Sequence, residues 1–281
     1  MSMKNRHVLG EAVRHLILII LALYTLAPLL FLFVNAFKSN NEIIASPVAL
    51  PEHWTLQYIK TAMEAINFGK ALGLTFIITF FSILLLVIAS SFAAWAMVRS
   101  KTILSNIVFL CFTAAMLVPF QSLMYPLLSV FEKMGLKNVQ GLILMYGGFG
   151  LSMSVFLYHG FIKSVPASLE EAAVLDGANL FQMFFKVVFP LLKGTTVTVI
   201  VLNGMWIWND YLLPFLVIGN KTGSKTLTLE LYFAKLTSGQ YGNPWELIFP
   251  AVFVTIIPII ILYIFLQKYI VAGVSEGAVK M

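Results

Sequence analysis

Between two long apolar runs the chain reads Lys163-Ser-Val-Pro-Ala-Ser-Leu-Glu-Glu-Ala-Ala-Val-Leu-Asp-Gly-Ala-Asn-Leu-Phe-Gln-Met-Phe-Phe-Lys-Val-Val-Phe-Pro190. Ser168 and Glu171 have the spacing of a capping box, in which the hydroxyl accepts a free backbone N–H and the carboxylate reaches back. Glu170 and Glu171 also fall in a first turn, where acids suit the helix dipole. Gly177 can take the left-handed conformation that ends a helix. These signals predict a short helix over 169–176. Leu169, Ala172 and Ala173 fall at i, i+3 and i+4, on a flat face that admits a partner backbone closely. Asn179 with Gln182 predicts a second cap. Phe181, Phe184, Phe185 and Val188 then form an apolar face, and Pro190 marks its end. The loop is therefore a stiff two-helix element. It either lies on the bilayer surface or docks on a protein. A surface helix should present Lys and Arg to headgroups. The first of these helices presents acids, which favours a protein.

Outward from this loop the chain is apolar. Of its 281 residues 60% are hydrophobic and 11% charged, with a mean hydropathy of +0.92. A soluble domain runs about 45–50% apolar and about 25% charged. Soluble enzyme, disordered tail, collagen-like repeat and disulfide scaffold are excluded. A spanning helix needs about 20 mostly apolar residues. Six runs qualify, at 16–37, 71–98, 107–127, 141–162, 195–218 and 247–266. The first is too long for a signal-peptide core and no small-residue cleavage site follows it, so it reads as retained. Internal Pro and Gly (Pro28, Pro119, Gly147, Gly148, Gly150, Pro214, Pro250, Pro258) are tolerated in lipid only where neighbours or cavities satisfy the freed backbone. A packed bundle around a pathway is the reading. Met116, Met124, Met145 and Met153 read as packing within it.

Six spans place both termini on one side. With the N-terminus inside, the inner segments hold 10 Lys and Arg and the outer ones 8. Arg14 and two further basic residues before the first span, and Arg99 with Lys101 in the second loop, agree with N-in, C-in. The organisation read from these runs is a cytoplasmic N-terminus over 1–15, a first span over 16–37 and an extracytoplasmic segment over 38–70. A core over 71–267 follows, with an inner loop over 163–194, and then a cytoplasmic tail over 268–281. Net charge is +6, but the 18 basic residues are scattered, so no stripe for nucleic acid forms. Cys111 is the single cysteine and reads as a small apolar residue, with no disulfide or metal signature. No metal or cofactor is implied.

The motif Glu171-Ala172-Ala173, then Asp176-Gly177-Ala178, Phe184 and Pro190-Leu191, resembles the EAA loop of ABC importer permeases. It is most similar to the carbohydrate branch, the maltose-transporter-type inner-membrane subunits. Further positions agree in order and spacing: Pro28, Phe37-Lys38, Leu50-Pro51, Tyr58, Ala93-Ala94-Trp95-Ala96, Arg99, Pro119-Phe120-Gln121, Gly135-Leu136, Trp208-Asn209, Leu213-Pro214, Gln267-Lys268-Tyr269 and Gly277-Ala278-Val279-Lys280. Trp95 stands where the family usually has Tyr. Gly194 replaces a frequent Pro, and Val274-Ser275-Glu276 a more usual Leu-Thr-Ala.

The resemblance implies an all-α membrane protein of the type I importer permease fold. It implies a second permease subunit as heterodimer partner, two ATP-binding subunits, an extracytoplasmic sugar-binding protein and surrounding lipid. ATP hydrolysis would belong to the partner chains, so this chain would not be an enzyme. The loop helix would dock in a groove of the ATPase through Glu170, Glu171, Ala172, Ala173, Asp176, Gly177 and Ala178. The tail residues Gly277, Ala278 and Val279 would reach the same interface.

The fifth run contains Trp206-Ile-Trp-Asn-Asp-Tyr211, and Asp210 is the only acid within the apolar spans. An ionised Asp at mid-bilayer costs about 2.5–3.5 kcal/mol on insertion scales, so it needs a cavity, a partner or an interface. Trp206, Trp208, Asn209, Asp210 and Tyr211 offer the aromatic faces, amides and carboxylate that bind sugars. Gln121 and Tyr125 are weaker candidates. The same residues also admit a structural reading, with aromatics in the interfacial belt and Asp210 pairing across a subunit interface. The functional expectation is a sugar importer's permease, with an oligosaccharide as cargo. The alternative is a self-sufficient secondary transporter or membrane enzyme that uses Asp210. No phosphate-binding GxxxxGK[ST] loop and no HExxH occur.

Overall fold

The structure is a computed structural model that describes residues 3–219, 223, 225–238 and 244–278. Among these, every regular element is helical. The chain divides into two compact units. One holds the chain up to Gly69 together with Glu230–Pro258. The other holds Lys70–Leu229 together with the chain from Ile259 on.

The first unit begins with α1 (Met3–Asn35), whose apolar side chains stay exposed along most of its length, as a lipid-facing helix requires. Two short helices follow, α2 (Asn40–Ala45) and α3 (Gln57–Ala65). The connection between α1 and α2 is knitted by buried polar groups. Asn35 donates to the carbonyls of Phe31 and Pro47 at 2.8 and 2.9 Å. Lys38, only 1% exposed, donates to the Ser46 carbonyl at 3.0 Å and the Pro47 carbonyl at 3.4 Å. Burial pushes its ammonium below the ordinary lysine range, with Glu42 pulling the other way. Ser39 and Glu42 form a reciprocal capping box, and the Glu52 N–H also donates to Glu42. The Ser39 and Glu52 N–H groups and the Ser39 hydroxyl hold the Glu42 carboxyl below the usual range. Phe33, Phe37, Trp54 and Phe253 pack as an aromatic cluster, and Ala62, Ile66, Ala251 and Val254 form a small core.

The second unit is built on α4 (Phe68–Ser100), an unbroken helix of 33 residues. Then come α5 (Ile103–Ala115), α6 (Phe120–Lys133) and α7 (Val139–Ile162). α8 (Ser168–Leu175), α9 (Leu180–Met183), a wide π-type turn over Phe184–Val188 and α10 (Phe189–Leu191) make the loop. α11 (Lys193–Asn209) and α12 (Leu212–Ile218) follow; α13 (Leu227–Ser238) and α14 (Trp245–Ala278), which ends the described chain, each have residues in both units. In lipid, helices associate through close packing of small residues rather than through hydrophobic burial. Gly147 and Gly150 of α7 illustrate this. A methyl group on either would meet Leu85 or Leu86 of α4, and on Gly150 also Asn203 of α11, at 2.5–2.6 Å. The core gathers Ala94, Trp95, Val155, Tyr158, Ile162, Phe184, Val188, Leu192 and Val199. Buried α4 hydroxyls of Thr75, Ser90 and Ser91 donate to carbonyls on their own helix.

Among the described residues four helices are long and apolar enough to cross a membrane unbroken, and two bent pairs, Ile103–Ala115 with Phe120–Lys133 and Leu180–Leu191 with Lys193–Asn209, bring the total to as many as six. Several expectations need correction. The run at 107–127 is not one helix: α5 and α6 meet at 107°, with Pro119, which lacks an N–H and is itself extended, at the break. The run at 195–218 breaks at Asp210. The helix after the last expected span does not stop at 266; α14 continues to Ala278, so the described part of the expected tail is helical. α1 likewise reaches back to Met3, into the expected N-terminal segment.

Candidate functional site

α8 starts one residue early. Ala167 already has helical dihedrals and its carbonyl accepts from the N–H groups of Glu170 and Glu171. Ser168 thus lies inside the helix and makes no cap, which corrects the expected box with Glu171. The cap expected from Asn179 and Gln182 is present, with both reciprocal bonds. Gly177 has φ +80°, and its N–H and that of Ala178 close onto the carbonyls of Val174 and Ala173. The helix expected to end at Pro190 runs on to Leu191. The π-type turn before it carries the Phe189 N–H to the Phe184 carbonyl, five residues back, and this wider turn accommodates the proline ring.

The two neighbouring acids have opposite environments. Glu171 is exposed, whereas Glu170 is 8% exposed and turned into the protein. Its Oε1 accepts from Arg99 Nε at 2.8 Å and pairs with Nη2 at 2.7 Å, and its Oε2 accepts from Trp95 Nε1 at 3.0 Å. Arg99 Nη2 also donates to the Val165 carbonyl at 3.0 Å. Glu170 is therefore committed within this chain. Ala173 is buried as well, so the flat face expected from Leu169, Ala172 and Ala173 is only partly free. What the loop exposes is Glu171, Ala172 and Asp176, flanked by Val174, Leu175 at 89%, Leu180 and Phe181. The spacing of Trp95 and Arg99, four apart at the end of α4, held the signal for the Glu170 site.

At the break of the fifth span Asp210 acts as a cap. Its Oδ1 accepts from the Leu212 N–H at 2.9 Å, and its Oδ2 from Tyr146 Oη at 2.8 Å and the Leu213 N–H at 3.4 Å. Its carbonyl accepts from the Thr228 hydroxyl at 2.8 Å. Both carboxylate oxygens thus have protein donors. Trp206 packs edge-on against Tyr146 at 5.5 Å and lines a cavity of about 550 Å³. Met116, Phe120, Phe149, Ser152 and Asn203 share its wall, at the bend between α5 and α6. The other aromatic candidates diverge. Trp208 is buried with no partner for its Nε1 among the described residues. Asn209 donates to the Met205 carbonyl, and Tyr211 is exposed. Gln121 and Tyr125 are exposed and off the cavity wall. Gly277 and Ala278 close α14, while Val279 lies outside the described residues. Among the described residues no cluster of His, Cys, Asp and Glu could hold a metal ion.

Up to six candidate crossings among the described residues, two of them bent pairs, define a multi-pass membrane protein. Residues 86–276 match the model of the binding-protein-dependent transport system inner membrane component family. The chain belongs to that family and is the permease subunit of an ABC importer in the cell membrane. It is 43% identical over 262 residues to the probable starch degradation products transport system permease protein AmyC of Thermoanaerobacterium thermosulfurigenes, covering 93% of this chain and 94% of that one. To the multiple sugar-binding transport system permease protein MsmG of Streptococcus mutans it is 34% identical over 281 residues, covering 99% and 100%. Its fold matches a chain in the crystal structure of a bacterial ABC transporter involved in the import of the acidic polysaccharide alginate. The TM-score is 0.81 at 23% identity, with 96% and 98% coverage.

Proposed function

We propose that this chain forms half of the translocation path of an ATP-driven oligosaccharide importer, oriented N-in and C-in. The full-length similarity to a permease named for starch degradation products carries the sugar assignment. A second, different permease chain completes the path, two ATP-binding subunits supply hydrolysis, and an extracytoplasmic binding protein delivers the sugar. This chain itself is not catalytic. Glu171, Ala172 and Asp176 on α8, with the exposed rim of Val174, Leu175 and Phe181, form the surface that meets the ATPase. A short helix stopped by a left-handed glycine holds its shape under load, which suits force transfer. Gly277, Ala278 and Val279 at the chain's end add to that interface. Glu170 serves the site from behind.

Of the sugar-path candidates, Trp206 is best placed, because its ring borders a cavity wide enough for a sugar unit. Asp210 holds the geometry of that wall through Tyr146. The test is co-purification in mild detergent followed by uptake of a panel of labelled sugars in a deletion strain. Recovery of a second permease and an ATPase, with uptake that needs both, is the expected result. A chain that purifies alone and moves sugar on a proton or sodium gradient would favour the secondary-transporter reading.

A further inference from the structure

The pairing of Glu170 goes beyond what an ATPase interface requires. It sits one residue before the exposed Glu171, yet both its carboxylate oxygens are spent on α4. Arg99 uses the same guanidinium to hold the Val165 carbonyl, so the segment entering α8 and its first turn are fixed together. The second half of the loop docks on the same place. Phe184, fully buried, packs against Trp95 at 5.2 Å and Phe92 at 5.0 Å. Both halves of the loop therefore grip one end of α4, over Phe92, Trp95 and Arg99.

α4 is a candidate for a push-rod. Its 33 residues contain no proline and extend about 50 Å at 1.5 Å per residue. Towards its other end, Thr75 Oγ1 accepts from the Leu227 N–H at 2.9 Å. The next residue, Thr228, donates to the Asp210 carbonyl, and Asp210 holds Tyr146 beside Trp206 at the cavity. A contiguous run of hydrogen bonds and rigid helix thus joins the loop to the cavity wall, which is the kind of physical route coupling needs.

We propose that Trp95 and Arg99 are positioning residues that bind the loop to α4 through Glu170, so that movement of the loop becomes movement of α4. They touch neither sugar nor nucleotide. The proposal rests on the reading of α8 as the ATPase contact. With the clamp cut, the ATPase still closes on the loop, but the loop yields instead of moving the helix. Hydrolysis continues and transport fails.

The test uses the complete importer with its binding protein, reconstituted in vesicles. Glu170→Gln removes the ion pair at constant shape, and Trp95→Phe removes the indole N–H together with one ring of the fused pair while keeping an aromatic ring against Phe184. Arg99→Lys keeps the charge without the fork. Initial uptake and ATP hydrolysis are measured on the same vesicles, and Ala172→Cys is crosslinked to the ATPase in each background. E170Q should lower uptake about tenfold while hydrolysis changes by less than about twofold, raising ATP used per sugar at least about fivefold. W95F and R99K should give intermediate ratios with normal amounts of assembled complex. If uptake and hydrolysis fall together and the ratio is unchanged, the clamp is merely structural and the proposal is overturned. If A172C crosslinks and all three variants remain coupled, the clamp proposal alone fails. If A172C does not crosslink even with the native clamp, the reading of α8 as the ATPase contact fails, and the clamp's role falls with it.

Discussion

Asp210→Ala should destabilise the importer far more than Asp210→Asn, because the side chain caps a helix and satisfies a buried tyrosine. Removing an N-terminal cap costs about 1 kcal/mol, within about 0.5–2. Stranding a hydroxyl that has lost its acceptor costs about 1–3 kcal/mol more. The sum is about 2–4 kcal/mol for Ala. Asn keeps an oxygen for the Leu212 N–H, and its amide can donate to Tyr146 Oη, so its cost should stay below about 1 kcal/mol. Tyr146→Phe should cost about 1 kcal/mol, since Leu213 still serves Oδ2. The double variant D210A/Y146F should then cost less than the sum of the singles by about 1 kcal/mol, because no hydroxyl is left stranded. Thermal unfolding of the complete importer in mild detergent measures these differences. At about 2–4 °C per kcal/mol, D210A should lower the midpoint by roughly 5–15 °C. Uptake kinetics are measured alongside. If D210N abolished uptake as D210A does, with the unfolding midpoint unmoved, Asp210 would be a sugar contact or a proton carrier and the capping argument would be refuted.

Three further outcomes are expected. At Gly177, φ is +80° with open space around the site, so the penalty for a side chain is conformational: about 1–2 kcal/mol for Ala, less for Asn and more for Val. Uptake should fall in the order Gly, Asn, Ala, Val while membrane insertion persists, and an order set by side-chain volume alone would contradict this. Glu42 is bound as a carboxylate by the Ser39 and Glu52 N–H groups, so its folded pKa lies below the ordinary value of 4.5. Its stabilisation is complete above 4.5 and disappears as pH falls through the depressed value; the stability gap between native and Glu42→Gln proteins should therefore shrink as pH is lowered below 4.5. Trp206→Ala should raise the KM for sugar uptake roughly three- to tenfold, and Trp206→Phe less, while Trp208→Phe should leave KM unchanged.

Much of the architecture was legible in the sequence because lipid imposes simple rules. Long apolar runs marked the crossings, and Gly177 and Asn179 marked the loop's turns through local chemistry that no tertiary contact overrides. Long-range choices were not legible. Glu170 and Glu171 look alike on the page, and which of them turns inward is decided by Arg99, 71 residues earlier in the chain. Ser168 lost its cap because Ala167 already has helical dihedrals and takes the N-cap position. Lys38 falls in the expected extracytoplasmic segment, yet two backbone carbonyls hold its buried ammonium. The break in the fifth span carried a signal that apolar run length concealed: Asp210 followed by Pro214 is the pattern of a helix start, and α12 begins between them. Of the seven residues proposed for a sugar path, only Trp206 borders the cavity, because a helix points neighbouring side chains to different faces.

The most direct measurement is sugar uptake by vesicles containing this chain, its partner permease and the ATPase, with ATP inside and binding protein outside. Uptake of a labelled oligosaccharide should require all four proteins and ATP, and should persist when proton and sodium gradients are collapsed. Uptake by this chain alone, driven by an ion gradient and indifferent to ATP, would contradict it.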